Sequence, residues 1–305
     1  MVSLLGMLND AHCHFFSTKF FSTLSQQRGK GDSVAALCKE LGWDDPREPA
    51  TLADRWVQEL DAHQVARAAL IASVPSDEAS VGAAVAKHPT RFVGYFMVNA
   101  NSPDAIPRTH AAVYAQGMRC LCLFPAMHHT ALDDDRVRKV IDAAVGGNAA
   151  VFVHCGQLTV GVRKALGLPS AFDLRLGDPL EVARLANAYP AVPFIVPHFG
   201  AGLLREALLA ADVCPNIYLD TSSSNRWMRF TPGLTLDDVF RAALAVVGPG
   251  RILFGTDSSY FPRGWQRGVY DEQKAALDRL GVGAADQDMI FGGTFDRLFG
   301  ERQKG

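Results

Sequence analysis

Two imidazoles one residue apart, in Asp10-Ala11-His12-Cys13-His14, can hold one divalent ion between them when both rings project to the same side. The stretch follows Val2-Ser3-Leu4-Leu5-Gly6-Met7-Leu8-Asn9, an apolar run long enough for one buried strand. Alternate side chains on a strand share a face, so His12 and His14 point together, with Asp10 behind them. A hydrogen-bonded histidine pair at a strand end would read the same way, so a metal site needs further ligands from other strand ends. Three later apolar runs supply polar ends: 150–156 carries His154, 194–200 carries His198, and 252–257 closes on Asp257. Each alone reads as a capped polar group. Brought to one rim, they make four histidines and a carboxylate.

The elements that would gather them alternate along the chain. Strands are predicted over residues 66–73, 91–98, 117–124, 149–155, 192–198, 216–221 and 251–257. Helices are predicted over 51–63 with Thr51 as N-cap, 76–87, 103–115, 133–145, 178–189, 203–212, 236–247 with Thr235 as N-cap, 265–280 and 285–299. With the first run included, eight strands are each followed by helix. Near-continuous apolar strands alternating with helices imply a parallel sheet covered by helices, and eight such units in 305 residues favour a closed (β/α)8 TIM barrel. Catalytic groups then sit at the C-terminal strand ends, where the histidines and Asp257 fall. The whole chain, 1–305, reads as one such domain. Residues 15–50 interrupt the alternation after the first strand as a long insertion with a short helix near 33–41. Connections of this length are usually lids or binding loops, and an insertion that merely packs its aromatics on the barrel is the alternative.

Composition narrows the partners. Hydrophobic residues at 48% and charged residues at 20% describe an ordinary globular protein. Lys plus Arg (30) against Asp plus Glu (32) gives −2, so no basic field invites nucleic acid or an anionic membrane. No uninterrupted apolar stretch approaches the roughly 18 residues of a membrane span. No phosphate-cradling glycine motif follows the first strand, which weakens a nucleotide reading. No basic residue precedes the first apolar run, which leads straight into the histidine pair, so no cleaved signal peptide is expected and the chain reads as cytoplasmic. Six scattered cysteines lack zinc-finger spacing, and Cys120 and Cys122 read as small core residues.

In these residues the chain resembles the amidohydrolase superfamily. Within it, the chain is similar to the amidohydrolase-2 branch of metal-dependent hydrolases and non-oxidative decarboxylases, which includes aminocarboxymuconate-semialdehyde decarboxylase. The motifs carrying the resemblance are Asp10-Ala11-His12-Cys13-His14, His154, Pro197-His198-Phe199-Gly200 and Phe254-Gly255-Thr256-Asp257. Asn216-Ile217-Tyr218-Leu219-Asp220-Thr221-Ser222 also looks like the branch's seventh strand, and Phe295-Asp296-Arg297-Leu298-Phe299 like its closing helix. Together they span essentially the whole chain.

Two departures stand out. Many superfamily members bridge two metals with a carboxylated lysine or a glutamate on the fourth strand, and Gly117-Met118-Arg119-Cys120-Leu121-Cys122-Leu123-Phe124-Pro125 offers neither. The resemblance therefore implies one ion. Gly293-Thr294-Phe295 also stands where the branch usually has an asparagine and small residues.

By that resemblance His12, His14, His154 and Asp257 hold one divalent ion. Nitrogen and oxygen ligands with an open position favour zinc, with manganese or iron as alternatives. Such an ion lowers the pKa of bound water toward neutrality. His198 is the expected general base or acid, with Asp257 shared between metal and water, and a purely structural His198 is the alternative. Asp10 either orients a ligand from below or is a structural carboxylate. Loop position nominates Arg226, Trp227, Arg229, Tyr260, Phe261 and Arg263 as substrate contacts, because guanidinium binds a carboxylate bidentately, with His128 and His129 on the same rim.

The expected activity is hydrolysis of an ester, lactone, amide or carbon-carbon bond in a small carboxylated substrate. Non-oxidative decarboxylation of an aromatic or muconate-type acid, metal-independent lactone hydrolysis, and a non-catalytic small-molecule-binding barrel are the rivals. A homodimer is expected from the resemblance alone.

Overall fold

The computed structural model describes residues 7–223 and 227–300. Eight parallel strands run β1 (Leu8–Phe15), β2 (Val65–Ala72), β3 (Phe92–Val98), β4 (Cys120–Leu123), β5 (Ala150–Val153), β6 (Phe194–Val196), β7 (Ile217–Asp220) and β8 (Ile252–Leu253). Each pairs with the next in sequence order, β1 to β8. The seam between β8 and β1 is joined by backbone hydrogen bonds from Ala11 to Phe254 (2.8 Å), Asp257 to His12 (2.9 Å) and His14 to Ser258 (2.7 Å). The result is a nearly closed (β/α)8 TIM barrel, as the alternation predicts.

Side-chain alternation splits the core into two layers. Ala11, Ile71, Tyr95, Cys122, Phe152, Ile195 and Leu253 fill the barrel, and Phe295 and Phe299 of the helix Thr294–Phe299 belong to the same cluster. The other face of each strand packs on the helices through residues such as Trp56, Phe92, Leu121, Val151, Phe199 and Phe240. All six cysteines are buried free thiols.

Several boundaries move for identifiable reasons. β4, β5, β6 and β8 are shorter than predicted; in β5, β6 and β8 the polar residues closing the runs, His154, His198 and Asp257, lie past the last paired residue, in the loops that carry the chemistry. The helix predicted over 51–63 is Pro49–Ala62 with Glu48 as N-cap, so Thr51 is inside it. Proline starts a helix well because its missing N–H would be unpaired there anyway. Thr235 does cap Leu236–Val247, in a reciprocal capping box with Asp238. The closing helix is split into Ala284–Asp288, a π-helical turn Met289–Gly293 and Thr294–Phe299, with Gly292 pressed against the Met7 carbonyl so closely that no Cβ would fit.

The insertion holds two helices, Thr18–Arg28 and Val34–Leu41. The first of these was not expected. Both are bounded by a serine N-cap, Ser17 or Ser33, and a left-handed glycine, Gly29 or Gly42. Their apolar faces make a small third core with residues of two other loops: Phe20, Phe21, Leu24 and Leu37 pack with Val74, Val162, Leu166 and Leu168. Among the described residues no helix is long and apolar enough to cross a membrane.

Candidate active site

His12 and His14 leave β1 on the same face, and the loop after β8 brings Asp257 to them. His14 Nε2 lies 3.0 Å and His12 Nε2 3.7 Å from Asp257 Oδ1. One donor atom from each of the three residues falls within 4.8 Å of the others. His198 and His154 continue the cluster, with ring centroids 5.0 Å from His12 to His198 and 5.2 Å from His198 to His154. All five residues nominated at strand ends therefore meet at the C-terminal rim. The imidazoles are deeply placed: His12, His154 and His198 are buried, and His14 retains 19% of its side-chain exposure.

Hydrogen bonds fix which ring nitrogen of each histidine faces the centre. Ser73 Oγ donates to the Ile71 carbonyl (3.0 Å), so its 2.7 Å bond to His14 Nδ1 must be donated by the imidazole. His12 Nδ1 lies 2.7 Å from Asp220 Oδ2, and His198 Nδ1 lies 2.6 Å from the Ser222 carbonyl; both acceptors hold the proton on Nδ1. In all three rings Nε2 is left with its lone pair. His154 differs: its Nδ1 is buried without a hydrogen-bond partner.

An orphaned buried nitrogen costs free energy unless something engages it. Two converging imidazole lone pairs, those of His12 and His14, beside the Asp257 carboxylate, with His198 and the His154 orphan adjoining, are the donor set of a divalent-cation site. The residues present fit one such ion. β4 offers no fifth protein ligand of the bridging kind, since Cys120 and Cys122 face the barrel core.

Electrostatics favour a cation at this point. Burial opposes charge on Asp257, but the His14, His12 and His198 rings around it outweigh that cost and hold its carboxyl well below the usual range. Asp220 behaves the same way, with His12 overcoming the cost of burial. Burial also opposes charge on His12, yet Asp220, Asp257 and Asp10 raise its proton affinity, as they would its affinity for any cation. Burial pushes His154, His198 and His14 down, so all three are neutral near pH 7.

The backbone is contorted where it presents these groups. His198 (φ 56°), Phe199 (φ 49°), Ala201 (φ 45°) and Asp257 (φ 61°) are all left-handed without being glycine. Such residues cost about 1–3 kcal/mol each and persist only where surrounding contacts enforce them, which is typical of functional sites.

Asp10 is a structural carboxylate in its hydrogen bonding. It accepts from His12 N (2.9 Å), Thr256 N (3.2 Å), Thr256 Oγ1 (2.5 Å) and Trp265 Nε1 (2.7 Å), tying β1 to the loop after β8.

The substrate nominations scatter. Arg226 lies outside the described residues. Trp227 is buried in the outer core layer, while Arg229 is exposed and stacks over Phe230. Arg263 is exposed, donates to the Asp257 carbonyl (3.2 Å) and Ser259 Oγ (2.6 Å), and lies over the Tyr260 ring. Tyr260 stacks on Trp43 of the insertion at 3.7 Å, and Trp43 adjoins Phe16, whose ring is 5.7 Å from His14. His128 is half-buried and His129 exposed. Sequence reading missed Ser73, Asp220 and Ser222 as site residues. Asp220 carried the same signal as His154, a polar residue closing an apolar strand, whereas a serine in a loop carries none.

A model of the family described as Amidohydrolase matches residues 10–300. Among solved structures, the fold is similar to 5-carboxyvanillate decarboxylase from Novosphingobium aromaticivorans, complexed with manganese and 4-hydroxy-3-methoxy-5-nitrobenzoic acid. That likeness has TM-score 0.65 and 15% identity, covering 96% of this chain and 96% of that one. A probable 2-pyrone-4,6-dicarboxylic acid hydrolase from Acinetobacter baumannii, with citric acid bound, is similar at TM-score 0.61 and 14% identity, covering 96% and 99%. Protein fluG of Emericella nidulans is 31% identical over 93 residues, 30% of this chain and only 10% of that protein's length.

Proposed function

The chain belongs to the amidohydrolase family, and on that premise we propose that this enzyme is a hydrolase that uses one divalent metal ion, with zinc as first choice, on a small carboxylated substrate. The observation that carries the proposal is the convergence of His12 Nε2 and His14 Nε2 on Asp257 Oδ1, with each Nδ1 pinned from behind. His12, His14, Asp257 and His154 would hold the ion. When bound, it would acidify a water and polarise a substrate oxygen.

The chain's own groups supply the proton handling. His198 donates Nδ1–H to the Ser222 carbonyl, so Nε2 is the atom free to accept a proton and later return it to the leaving group. The left-handed turn over 198–201 carries that ring and packs on Gly156, which approaches the Gly200 and Ala201 carbonyls too closely to carry a Cβ. Asp257 would accept a hydrogen bond from the attacking water as well as ligating. Arg263, braced by Ser259 and stacked on Tyr260, supports recognition of a carboxylate at the rim.

A second reading, non-oxidative decarboxylation, is favoured by the likeness to a decarboxylase over nearly the whole chain. A panel of esters, lactones, amides and aromatic carboxylic acids, assayed with zinc or manganese for acid formation and for carbon dioxide, separates the two. We expect acid formation without carbon dioxide, abolished in His198→Asn. Carbon dioxide release without net hydrolysis would replace hydrolysis by decarboxylation, and no turnover in either assay would leave a binding protein.

A further inference from the structure

The turn that ends β7 braces the site from behind. Asp220 is completely buried and spends both oxygens locally: Oδ2 holds His12 Nδ1 at 2.7 Å, and Oδ1 accepts Ser222 N at 2.6 Å. The Ser222 hydroxyl, also completely buried, lies 2.9 Å from His12 Nδ1 and 2.9 Å from His198 Nδ1. Both nitrogens carry protons claimed by stronger acceptors, Asp220 and the Ser222 carbonyl, so the hydroxyl oxygen is a shared second acceptor for the two rings. The turn itself is held. Gln273 Nε2 donates to the Thr221 carbonyl (2.9 Å), and Gly255 N donates to Thr221 Oγ1 (3.2 Å). A Cβ at Gly255 would meet His12 Cβ at 2.8 Å, Asp220 Oδ1 at 3.0 Å and Ser222 Cβ at 3.1 Å, so the loop after β8 packs tightly against the assembly.

We propose that Asp220 and Ser222 act as one positioning device, which sets the Nε2 atoms of His12 and His198 at a fixed separation so that the metal-holding and proton-transferring imidazoles cannot move independently. The inference rests on the metal-site reading above. Neither residue touches the reacting atoms. Asp220 makes His12 a better ligand by fixing its tautomer and pulling on its proton, and Ser222 transmits the same constraint to His198. Loss of such a partner typically costs 10–100-fold in metal affinity.

The test is zinc affinity by competition with a chromophoric chelator, with melting of the metal-free protein as a fold check. It is run on wild type, His12→Ala, Asp220→Asn and Ser222→Ala. The expected result is a roughly 10–100-fold weaker zinc affinity in Asp220→Asn and a smaller loss in Ser222→Ala, each in protein that still melts cooperatively. Wild-type affinity in either folded variant would overturn the device. If Asp220→Asn does not fold, Ser222→Ala alone decides. Failure of the underlying reading looks different: wild type then binds no zinc, or binds it as tightly as His12→Ala does.

Discussion

At the residue scale, the site is defined by which nitrogen of each imidazole is already occupied. His12, His14 and His198 are pinned through Nδ1 by a carboxylate, a hydroxyl and a carbonyl, while His154 Nδ1 is buried and unclaimed. The sequence names these four histidines and Asp257, because polar residues that close apolar strands are conspicuous. It cannot name Ser73 or Ser222, since a serine acquires its partner only when two distant loops meet. Asp77 is another buried carboxylate, one that the sequence does not single out. It accepts from Ser17 Oγ at 2.7 Å, and burial pushes its carboxyl up to about 6 against the hydrogen bonds that favour its charge. The folded protein therefore binds this proton more tightly than the unfolded chain, and the group's contribution to stability, complete below about pH 4, is lost as pH rises through about 6. At pH 7 the penalty is on the order of 3 kcal/mol. Asp77→Asn should thus be more stable than wild type in urea denaturation at pH 7.5, with the two converging near pH 4. A pH-independent loss of stability would show that the carboxylate's charge is already satisfied.

At the scale of elements, the insertion is built as a separate small core resting on the rim. Its two capped helices touch the barrel through loop residues such as Val74, Val162 and Leu166, and Trp43 stacks on Tyr260 just beyond Asp257. The second helix was legible near 33–41, but the first was not, because Phe15, Phe16, Phe20 and Phe21 read as a loop's aromatics until Ser17 is seen capping Phe20 N. Strand positions were legible throughout, and strand ends were not, because ladder pairing stops where the loops begin to turn. Aromatic pairs contribute about 0.5–1.5 kcal/mol beyond their buried area, so removing the Trp43 stack should loosen the insertion without unfolding the barrel. In Trp43→Ala, amide exchange across 18–41 should accelerate on the order of tenfold, with β2 to β5 unchanged. Equal acceleration in both regions would mean that the insertion and barrel open as one unit.

At the scale of the whole molecule, the barrel brings together residues separated by more than two hundred positions in the chain. His12 and Asp257 meet across the seam between β1 and β8, which Asp10 locks through Thr256 and Trp265. The eightfold alternation made this architecture legible, and the barrel's rule that catalytic groups occupy C-terminal strand ends then placed the site. Substrate identity was not legible, because the nominated contacts lie in loops, whose packing no periodicity encodes. The central claim is that this rim holds one divalent ion. Its most direct test is metal analysis of protein purified without added metal, wild type beside a His12→Ala, Asp257→Ala double variant. The account predicts about one equivalent of zinc or manganese in wild type and none in the double variant. Folded wild type that stays metal-free after incubation with either ion, or a double variant that retains a full equivalent, would contradict it.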